Sequence, residues 1–544
     1  MGRLEKLAGW FILLEGWRRL WAAFALGLIS ALALAPVDLV PVMFVTLPGL
    51  VFILDGVYGD ARRSFFRTLL AAFAPGWWFG FGYLLGGLWW IGNALLVEAE
   101  LFAWALPLAI LVLPAGLALF FGLATVIARM LWSEGWGRVM ALAFALGATE
   151  FLRGTVLTGF PWNTLGYTAM PAALLMQSAS VVGVYGMTVL AVPIFALPLV
   201  TLAGPGRGRA LKRPPLLLAL LLLAAHTGFG AWRLATNPED NDGTIRIRLM
   251  QPDIDQREKL TPGNEALVLA TYLDVSRQAP AATGGEASGL NDIDYLIWPE
   301  SAFPFLLTEE PQALAAIAEL LPAGTRLITG ALRAEPGAAG NPRGKVYNSV
   351  FVISDAGEIE EASDKTHLVP FGEYLPFQDL LEAIGLEQLT RVQGGFEPGS
   401  QRRVLQAASS RPFLPLICYE VVFSGAIRDN PTAQSAASWI VNLTNDAWFG
   451  HTPGPYQHLR QTRVRAVEEG LPIVRAANTG ISAIIDPMGR LVAKLPVGMR
   501  GTADGRLPAA ISTTFFIRFG TWIFATLLAI SLAGSLLFRG RRSN

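Results

Sequence analysis

Cys418, the only cysteine in the 544 residues, stands near the end of an apolar segment, Leu414-Pro-Leu-Ile-Cys-Tyr-Glu420. The apolar residues are typical of a buried strand, and a polar Tyr-Glu pair is typical of the point where a strand reaches the rim of its sheet. A thiol at that point becomes a nucleophile when a base or a positive charge lies beside it. A lone cysteine in an apolar segment is more often a small core residue, so the partners of Cys418 decide between the two interpretations.

Two other segments offer such partners. The segment Leu296-Ile-Trp-Pro-Glu300 places a carboxylate just past a predicted strand, and the polar loop 364–376 carries Lys365 and Glu373. Strand ends of an open α/β sheet meet at one edge, so we expect the three segments to converge there. A glutamate can then take the thiol proton, and an ammonium can stabilise both the thiolate and a tetrahedral oxyanion.

Taken singly, each of these polar residues has a plainer interpretation. Glu300 could cap the next element, Lys365 could be a surface charge, and Glu373, between a glycine and a tyrosine, could stabilise a turn. If Glu300 works as an acid and a base, partial burial should raise its pKa towards neutrality. The chemical interpretation therefore requires a fold that buries Glu300 beside Lys365 and Cys418.

The elements that would position these residues lie between a polar linker at 236–242 and a glycine-containing stretch at 501–505. Strands are predicted at 244–251, 295–298, 326–331, 349–353, 412–418, 438–443, 473–476 and 482–485. Helical patterns lie between them, as at 263–277, 309–321 and 456–469. Strands alternating with helices predict an α/β layered domain with a buried sheet over residues 242–507.

The remainder of the chain has the composition of a membrane protein. Of all residues 53% are hydrophobic and 15% are charged, whereas a soluble domain has about 25% charged residues. Apolar stretches comparable with the ~20 residues that cross a bilayer lie at 20–36, 37–54, 69–96, 102–131, 139–152, 172–203, 215–232 and 512–538. No small-residue cleavage site follows the first stretch, so we expect it to be retained. We predict seven transmembrane helices in residues 1–235 and an eighth at 512–538.

The distribution of basic residues predicts an orientation. Lys and Arg precede the first stretch and follow the second, fourth, sixth and eighth, at Arg3, Lys6, Arg18, Arg19, Arg62, Arg63, Arg67, Arg129, Arg138, Arg207, Arg209, Lys212, Arg213, Arg539, Arg541 and Arg542. The alternate loops are poor in basic residues. Because basic loops stay in the cytoplasm, we expect both termini there and residues 242–507 on the opposite, outer side of the membrane.

Some functional classes are disfavoured by the composition. The formal net charge is zero, which gives no reason to expect a nucleic acid as a partner. The four histidines are scattered and show no metal-ligand spacing, so we predict no metal. A single cysteine excludes an intramolecular disulfide.

The three polar segments together resemble a known family. Glu300 after a Trp-Pro pair, Lys365 in a Lys-x-His-Leu-Val-Pro-Phe-Gly-Glu loop and Cys418 in a Cys-Tyr-Glu run resemble the Glu-Lys-Cys triad of the nitrilase superfamily. The segments Asn445-Asp-Ala-Trp-Phe-Gly450 and Arg475-Ala-Ala-Asn-Thr-Gly-Ile-Ser482 fit as well. With membrane spans on both sides, the whole chain resembles the apolipoprotein N-acyltransferases, the membrane-embedded branch of that superfamily.

The resemblance implies a fold and a reaction. The fold would be a polytopic α-helical membrane domain of eight transmembrane helices plus an extramembrane α/β nitrilase-like domain, an αββα sandwich. The enzyme would be an N-acyltransferase with ping-pong kinetics, in a bacterial inner membrane of the Gram-negative type. Cys418 would take an acyl chain from a phospholipid, with phosphatidylethanolamine the expected donor. The resulting thioester would pass the chain to the N-terminal amine of a diacylglyceryl-cysteine apolipoprotein.

The resemblance also assigns roles to individual residues. Glu300 would be the general base, Lys365 the stabiliser of oxyanion and thiolate, and Cys418 the nucleophile. The family uses no cofactor, and we expect a monomer.

Three more residues match supporting positions of the family. Glu373 corresponds to an additional essential glutamate, which would orient Lys365 or the substrate carbonyl. Tyr419 and Glu420 match the residues after the nucleophile, where a backbone N–H can complete an oxyanion hole.

The chain departs from the family at two positions near the first predicted strand. Relatives tend to have Gln-Gly-Asn where this chain has Gln251-Pro-Asp253, and a tryptophan where Leu260 aligns. Both positions concern substrate entry and not the triad. The alternative function is a membrane-tethered nitrilase or amidase that hydrolyses small C–N substrates. A transport or scaffold protein with an inactive domain is disfavoured, because the triad is complete and the predicted spans hold few charges beyond Glu150.

Overall fold

The computed structural model describes residues 2–57, 65–133, 135–203, 209–239, 243–280, 289–335, 337, 344–383, 388–390, 395–407, 411–428 and 433–537. These residues form two compact units. The helical unit comprises Met1–Gly92, Trp104–Pro238 and Thr513–Asn544, and the sheet unit comprises Asn93–Ala103 and Glu239–Ser512. Several basic residues of the orientation argument, Arg62, Arg63, Arg207, Arg539, Arg541 and Arg542, lie outside the described residues.

The α-helices are, in chain order, α1 Arg3–Ile12, α2 Gly16–Ser30, α3 Met43–Val57, α4 Phe65–Leu88, α5 Asn93–Leu96, α6 Ala99–Phe102, α7 Leu113–Met130, α8 Gly137–Thr155, α9 Ala173–Met176, α10 Ala179–Ala203, α11 Arg209–Thr236, α12 Gln256–Leu260, α13 Glu265–Arg277, α14 Pro311–Leu320, α15 Gln378–Ala383, α16 Pro453–Glu469 and α17 Phe515–Leu537. Short 3₁₀ and π turns connect or extend several of them. Each predicted span coincides with a helix, and α1 is an additional helix that the sequence analysis did not predict.

Six helical segments of the described chain are long and apolar enough to cross a membrane: Val40–Val57, Phe66–Leu96, Leu108–Met130, Ala179–Ala203, Pro214–Thr236 and Phe515–Leu537. The two remaining predicted spans fall short for different reasons. Helix α2 has only 15 residues, and α8 carries Arg138, Glu150 and Arg153 within its 19 residues. The count of eight transmembrane helices therefore stays a prediction.

Close helix contacts organise the helical unit. Helix α4 packs against α2 and α7, and α10 packs against α3, α8 and α17. Glycines permit the closest approach: a Cβ at Gly27 of α2 would lie 1.9 Å from the Phe79 carbonyl oxygen of α4. Small residues serve this purpose in helix pairs within membranes, where backbones pack directly against one another.

A buried ion pair accompanies a turn of irregular chain in the same unit. The Arg153 Nη2 lies 3.7 Å from Glu150 Oε1. The Glu150 carboxylate accepts the Leu165 N–H at 2.9 Å, and Arg153 donates to the carbonyls of Phe160 and Trp162. The pair therefore satisfies backbone groups of a stretch of irregular chain, where no regular helix supplies their partners.

The strands of the sheet unit are β1 Arg246–Gln251, β2 Tyr295–Ile297, β3 Arg326–Ala334, β4 Val346–Ile353, β5 Ile359–Asp364, β6 Phe413–Ile417, β7 Trp439–Thr444, β8 Ile473–Ala477, β9 Ser482–Ile485, β10 Leu491–Leu495 and β11 Gly501–Arg506. They form a six-stranded sheet of order β11-β1-β2-β3-β4-β5 and a five-stranded sheet of order β10-β9-β8-β7-β6. Strands β1, β2 and β3 run parallel, as do β6, β7 and β8, and the outer pairs are antiparallel.

The two sheets face each other across one apolar core. Residues of both sheets, including Ile297, Ile328, Val441 and Val474, pack in this layer and are fully buried. Helices α13 and α14 cover the outer face of the six-stranded sheet through a second core, and α16 packs against β8 of the other sheet. The order helix, sheet, sheet, helix confirms the αββα sandwich.

Candidate active site

Backbone geometry brings the three predicted segments to one edge of the sandwich. Glu300 lies three residues past β2 and Cys418 directly follows β6, so both stand at carboxyl ends of parallel strands. Lys365 directly follows β5. A Cβ at Gly330 of β3 would lie 2.6 Å from the Glu300 Cα, so only glycine lets the Glu300 loop approach this strand.

The Lys365 ammonium lies between two carboxylates. Its Nζ donates to Glu373 Oε1 at 2.9 Å and lies 3.6 Å from Glu300 Oε1. All three side chains are buried, with Lys365 1% exposed. The Glu373 Oε2 accepts the Val369 N–H at 2.8 Å, which fixes this carboxylate to its own loop. Glu373 therefore orients Lys365. Glu300 is close enough to interact electrostatically with the same ammonium.

Two asparagines complete the hydrogen bonding of Glu300. Asn348 Nδ2 donates to Glu300 Oε1 at 2.8 Å and also to Glu373 Oε1 at 3.1 Å. The Asn445 N–H, just past β7, donates to Glu300 Oε2 at 2.9 Å. Sequence reasoning assigned neither residue a role, although Asn445 opens a segment that carried the family resemblance. Both oxygens of Glu300 are thus held in place by groups from other strands.

The electrostatics of this cluster suit proton transfer. Burial, reinforced by the negative charge of Glu373, raises the pKa of Glu300, while Lys365 and the two asparagine donors oppose the shift. Burial disfavours the Lys365 ammonium, but the charges of Glu373 and Glu300 outweigh burial and raise the pKa of Lys365. Glu300 is therefore a carboxyl that binds a proton more tightly than an exposed glutamate, the direction that suits a general base.

Cys418 occupies a strained position beside these charges. Its φ is 49°, in the left-handed region that a non-glycine residue seldom adopts. It is 9% exposed, and its side chain is hydrogen-bonded to Thr444. Burial and the charge of Glu300 raise the pKa of the thiol, whereas Lys365 lowers it. The resting group is a neutral thiol, so a base must take its proton at the moment of attack.

A buried hydrogen-bond network supports the backbone of the strained Cys418. His458 Nε2 lies 3.2 Å from the Cys418 carbonyl oxygen, and His458 Nδ1 lies 3.0 Å from Asp446 Oδ1. Arg475 Nη2 donates to Asp446 Oδ2 at 2.7 Å. Although burial opposes it, the charge of Arg475 lowers the pKa of Asp446 to about 2. The network joins β7, β8 and α16 to the backbone of Cys418.

Glu420 connects the loop of Lys365 to the loop of Cys418. Its Oε1 accepts the backbone N–H groups of Thr366 at 2.9 Å and His367 at 3.1 Å, and its Oε2 accepts that of Ile417 at 2.8 Å. Arg402 Nη2 donates to the same carboxylate at 2.7 Å. The side chain of Glu420 therefore positions two loops. The ring of Tyr419 lies 4.9 Å from the ring of Phe423, in an edge-to-face contact.

Two family models and several curated proteins match this chain. Residues 26–197 match the family model for the apolipoprotein N-acyltransferase N-terminal domain, and residues 261–513 match the carbon-nitrogen hydrolase model. An apolipoprotein N-acyltransferase of Brucella melitensis is 45% identical over 99% of this chain and 99% of its own length. Those of Rhodopseudomonas palustris and Agrobacterium fabrum are 46% and 47% identical, over 98% and 99% of this chain and 98% and 100% of their own lengths.

The chain belongs to the apolipoprotein N-acyltransferase family. This result confirms the resemblance that the triad segments indicated. Among solved structures, an amidase from Nesterenkonia sp. is similar with a TM-score of 0.33 and 19% identity, over 50% of this chain and 94% of the amidase.

The two departures from the family pattern lie just after β1 and at the end of α12. Asp253 has a φ of 49°, a conformation that asparagine and aspartate tolerate better than most residues. Its N–H donates to the Asn478 carbonyl at 3.2 Å. Leu260, the last residue of α12, is 40% exposed. Neither residue contacts the triad through a hydrogen bond, and their effect on substrate entry stays a prediction.

Proposed function

We propose that this protein is an apolipoprotein N-acyltransferase that works through a thioester on Cys418. The observation that carries the proposal is the buried cluster in which Lys365 lies 2.9 Å from Glu373 and 3.6 Å from Glu300, with the charges of Lys365 and Glu300 both acting on the Cys418 thiol. The family relationship supplies the substrate class, a phospholipid donor and a lipoprotein acceptor. Phosphatidylethanolamine is the donor we expect.

In the first half-reaction Cys418 Sγ attacks the carbonyl carbon of a phospholipid acyl ester. Glu300 takes the thiol proton, and the ammonium of Lys365 stabilises the oxyanion together with a backbone N–H after the nucleophile, at Tyr419 or Glu420. As the tetrahedral intermediate collapses, the ester C–O bond breaks and Glu300 returns its proton to the leaving alkoxide. A lysophospholipid departs and the acyl chain remains on sulfur.

In the second half-reaction the α-amine of a diacylglyceryl-cysteine apolipoprotein attacks the thioester. Glu300 accepts a proton from the attacking nitrogen, the C–S bond breaks, and the thiolate of Cys418 regains a proton. The products are an N-acylated lipoprotein and the free enzyme. The same base therefore serves both steps. The lysophospholipid leaves before the acceptor binds, which is the order that ping-pong kinetics require.

Membrane substrates explain the association of this domain with apolar helices. In the loop that follows Lys365, Phe371, Phe377 and Leu380 are exposed apolar side chains, with Phe377 84% exposed. Exposed aromatic and aliphatic residues near a site of lipid chemistry favour contact with acyl chains. We propose that residues 242–507 form the periplasmic catalytic domain of a monomeric, inner-membrane enzyme whose termini are cytoplasmic.

Transfer must be faster than hydrolysis of the thioester. We hypothesise that the acylated site opens towards lipid and excludes water, because a thioester exposed to water would lose its chain before an acceptor arrives. Rapid release of free fatty acid from the acyl-enzyme in the absence of acceptor would contradict this hypothesis.

Acyl-enzyme trapping tests the proposal. Purified protein is incubated with phosphatidylethanolamine carrying a tagged acyl chain and is then treated with neutral hydroxylamine, which cleaves thioesters. We expect a hydroxylamine-labile label on the wild type and none on Cys418→Ala. Label that persists on Cys418→Ala would remove the proposed nucleophile. Turnover of small amides without lipid, at rates comparable to acyl transfer, would instead favour the alternative amidase.

A further inference from the structure

Lys259 is a buried cation that the proposed chemistry does not use. Its side chain is 2% exposed, and its Nζ is buried without a hydrogen-bond partner among the described residues. An unpaired ammonium away from water is costly to the folded protein, and buried lysines are therefore nearly always paired. A buried, unpaired Lys259 calls for a functional explanation.

Helix α12 places Lys259 on the side of the active site. Gln256, three residues earlier and hence on the same face of the helix, has its Oε1 bonded by Asn445 Nδ2 at 2.7 Å. The backbone N–H of the same Asn445 donates to Glu300 at 2.9 Å. Arg257, on another face, donates to the carbonyls of Leu96 and Val97. The helix is thus anchored on both sides, and Lys259 lies on the face of Gln256, which is linked through Asn445 to Glu300.

The charge of Glu300 acts on Lys259. Burial lowers the pKa of Lys259 to about 8, and the nearby carboxylate of Glu300 opposes this shift. At neutral pH the side chain therefore stays mostly protonated. The ionisable groups that face Glu300 are Lys365, Glu373, Cys418 and Lys259. Lys365 forms an ion pair with Glu373. Lys259 makes no hydrogen bond to a carboxylate among the described residues.

We propose that Lys259 is a positioning residue that acts through Glu300. Its ammonium stabilises the ionised carboxylate of Glu300 until that carboxylate takes the proton of Cys418. This inference rests on the proposed function, because it assumes that Glu300 is the base. When the proton moves from Cys418 to Glu300, the negative charge moves to the Cys418 sulfur. The buried site keeps the same net charge, but Lys259 no longer faces an ionised Glu300. The cation therefore favours the state of the base that precedes attack.

The pH profile of acyl-enzyme formation tests this role. The full-length enzyme is assayed with two donors, phosphatidylethanolamine and an uncharged p-nitrophenyl ester of the same fatty acid. Removing a cation raises the pKa of a neighbouring carboxyl, so the acidic limb of Lys259→Met should move to higher pH. We expect a shift of about one pH unit, which is a roughly tenfold loss of rate on the acidic limb. The plateau rate at higher pH should be retained, with both donors affected alike.

Four comparisons make the test selective. Lys494→Met removes an exposed lysine of β10 and should reproduce the wild-type profile. Lys259→Arg keeps the charge and should restore the acidic limb. Lys259→Met relieves an unpaired buried charge, so its thermal unfolding midpoint should equal or exceed that of the wild type. Lys259→Gln, a second neutral variant, should show the same displaced limb.

Other outcomes would overturn the inference. Wild-type profiles for both neutral variants would show that the charge does not reach Glu300. A loss confined to the phospholipid, with the uncharged ester unaffected, would assign Lys259 to phosphate binding instead. A lower unfolding midpoint together with an unshifted limb would make Lys259 structural. Failure of the wild type itself to form a hydroxylamine-labile acyl-enzyme would reject the proposed function and is distinct from all of these.

Discussion

Glu300 and Lys365 act on the Cys418 thiol with opposite sign. The carboxylate raises the pKa of the thiol, and the ammonium lowers it. The same carboxylate, however, is the group that we expect to remove the thiol proton. Its effect on the equilibrium acidity of the thiol and its effect on catalysis are therefore separable by experiment.

Glu300→Gln should make the thiol more acidic and the enzyme less active. Loss of the neighbouring anion lowers the pKa of Cys418, so alkylation by iodoacetamide should begin at lower pH than in the wild type. Loss of the base should reduce the rate of acyl-enzyme formation by roughly 10²–10⁴-fold. Alkylation and acylation are measured on the same preparation across a pH series.

Lys365→Met provides the matched comparison. Removal of the cation raises the pKa of Cys418, so alkylation and acylation should both decline. If Glu300→Gln lowered both activities in parallel, as we expect for Lys365→Met, Glu300 would be a structural neighbour of the thiol and not its base.

At the scale of elements, the site depends on side chains that hold loops in register. Glu420 binds the loop after β5 and the loop after β6 with one carboxylate, and Arg402 pairs with it at 2.7 Å. Removing one partner of a buried pair leaves an uncompensated charge, which costs about 3–5 kcal/mol. The positions of Lys365 and Cys418 relative to each other therefore depend on this carboxylate.

Glu420→Gln should reduce both stability and activity. We expect a loss of about 3 kcal/mol in the free energy of unfolding, measured as a lower thermal midpoint in detergent micelles, with slower acyl-enzyme formation. The control is Glu361→Gln, which breaks a partly exposed pair with Arg403 at 3.2 Å and should cost at most about 1 kcal/mol. Equal thermal unfolding midpoints for the two variants would contradict the proposal that Glu420 holds the two loops together.

The Asp446 network predicts a pH dependence of stability. Arg475 holds the folded-state pKa of Asp446 at about 2, below the ~3.9 of an unfolded aspartate. A depressed pKa contributes stability that is present above the unfolded value and is lost as pH falls through the folded value. The contribution is about 2.5 kcal/mol at neutral pH and disappears between about pH 4 and about pH 2.

Asp446→Asn should therefore be less stable than the wild type at neutral pH, and the difference should shrink as the pH falls below about 4. Thermal midpoints of the two proteins across an acid series measure this. Because His458 bonds both Asp446 and the Cys418 carbonyl, the variant should also acylate more slowly. A stability difference that is constant from neutral to acidic pH would mean that Asp446 is not ionised in the folded protein.

The sequence predicted the buried strands well, including the edge strand β6, and missed the more exposed edge strands β5, β10 and β11, for a physical reason. The eight predicted strands are apolar because a sheet or the facing core buries them, and each lies within a few residues of its observed bounds. Strand β5, Ile-Glu-Glu-Ala-Ser-Asp, is largely half-buried and polar, and β11 contains two glycines. Edge strands of this kind are defined by their neighbours in the sheet and carry little periodicity of their own.

The same contrast applies to the residues of the site. Some could be recognised by their residue type, and others only by their position in the fold. Cys418, Glu300 and Lys365 were predictable because few other residue types perform their chemistry. Asn348 and Lys259 were not, because an asparagine in a strand and a lysine in a short helix have no distinctive local pattern. Their interactions with Glu300 depend on the β4 register and on the position of α12.

At the scale of the whole molecule, the orientation in the membrane stays a prediction from basic loops. A single native cysteine makes it testable, because Cys418→Ala leaves a cysteine-free background. Lys6 and Lys494 are both exposed, one in α1 near the N-terminus and one in β10 of the sheet unit. Lys6→Cys and Lys494→Cys in that background report on the two sides that the basic-loop rule assigns.

A membrane-impermeant maleimide should label Lys494→Cys in spheroplasts, where the outer membrane has been opened, and should label Lys6→Cys only after the inner membrane is permeabilised. The physical reason is that a charged reagent cannot cross the apolar interior, so labelling reports the side on which each thiol lies. The cysteine-free protein gives the background, and detergent-treated membranes show that both thiols are reactive. Labelling of Lys6→Cys in spheroplasts, or protection of Lys494→Cys there, would reverse the orientation. The proposed thiol chemistry would then face the cytoplasm, on the opposite side from the one that the basic loops predict.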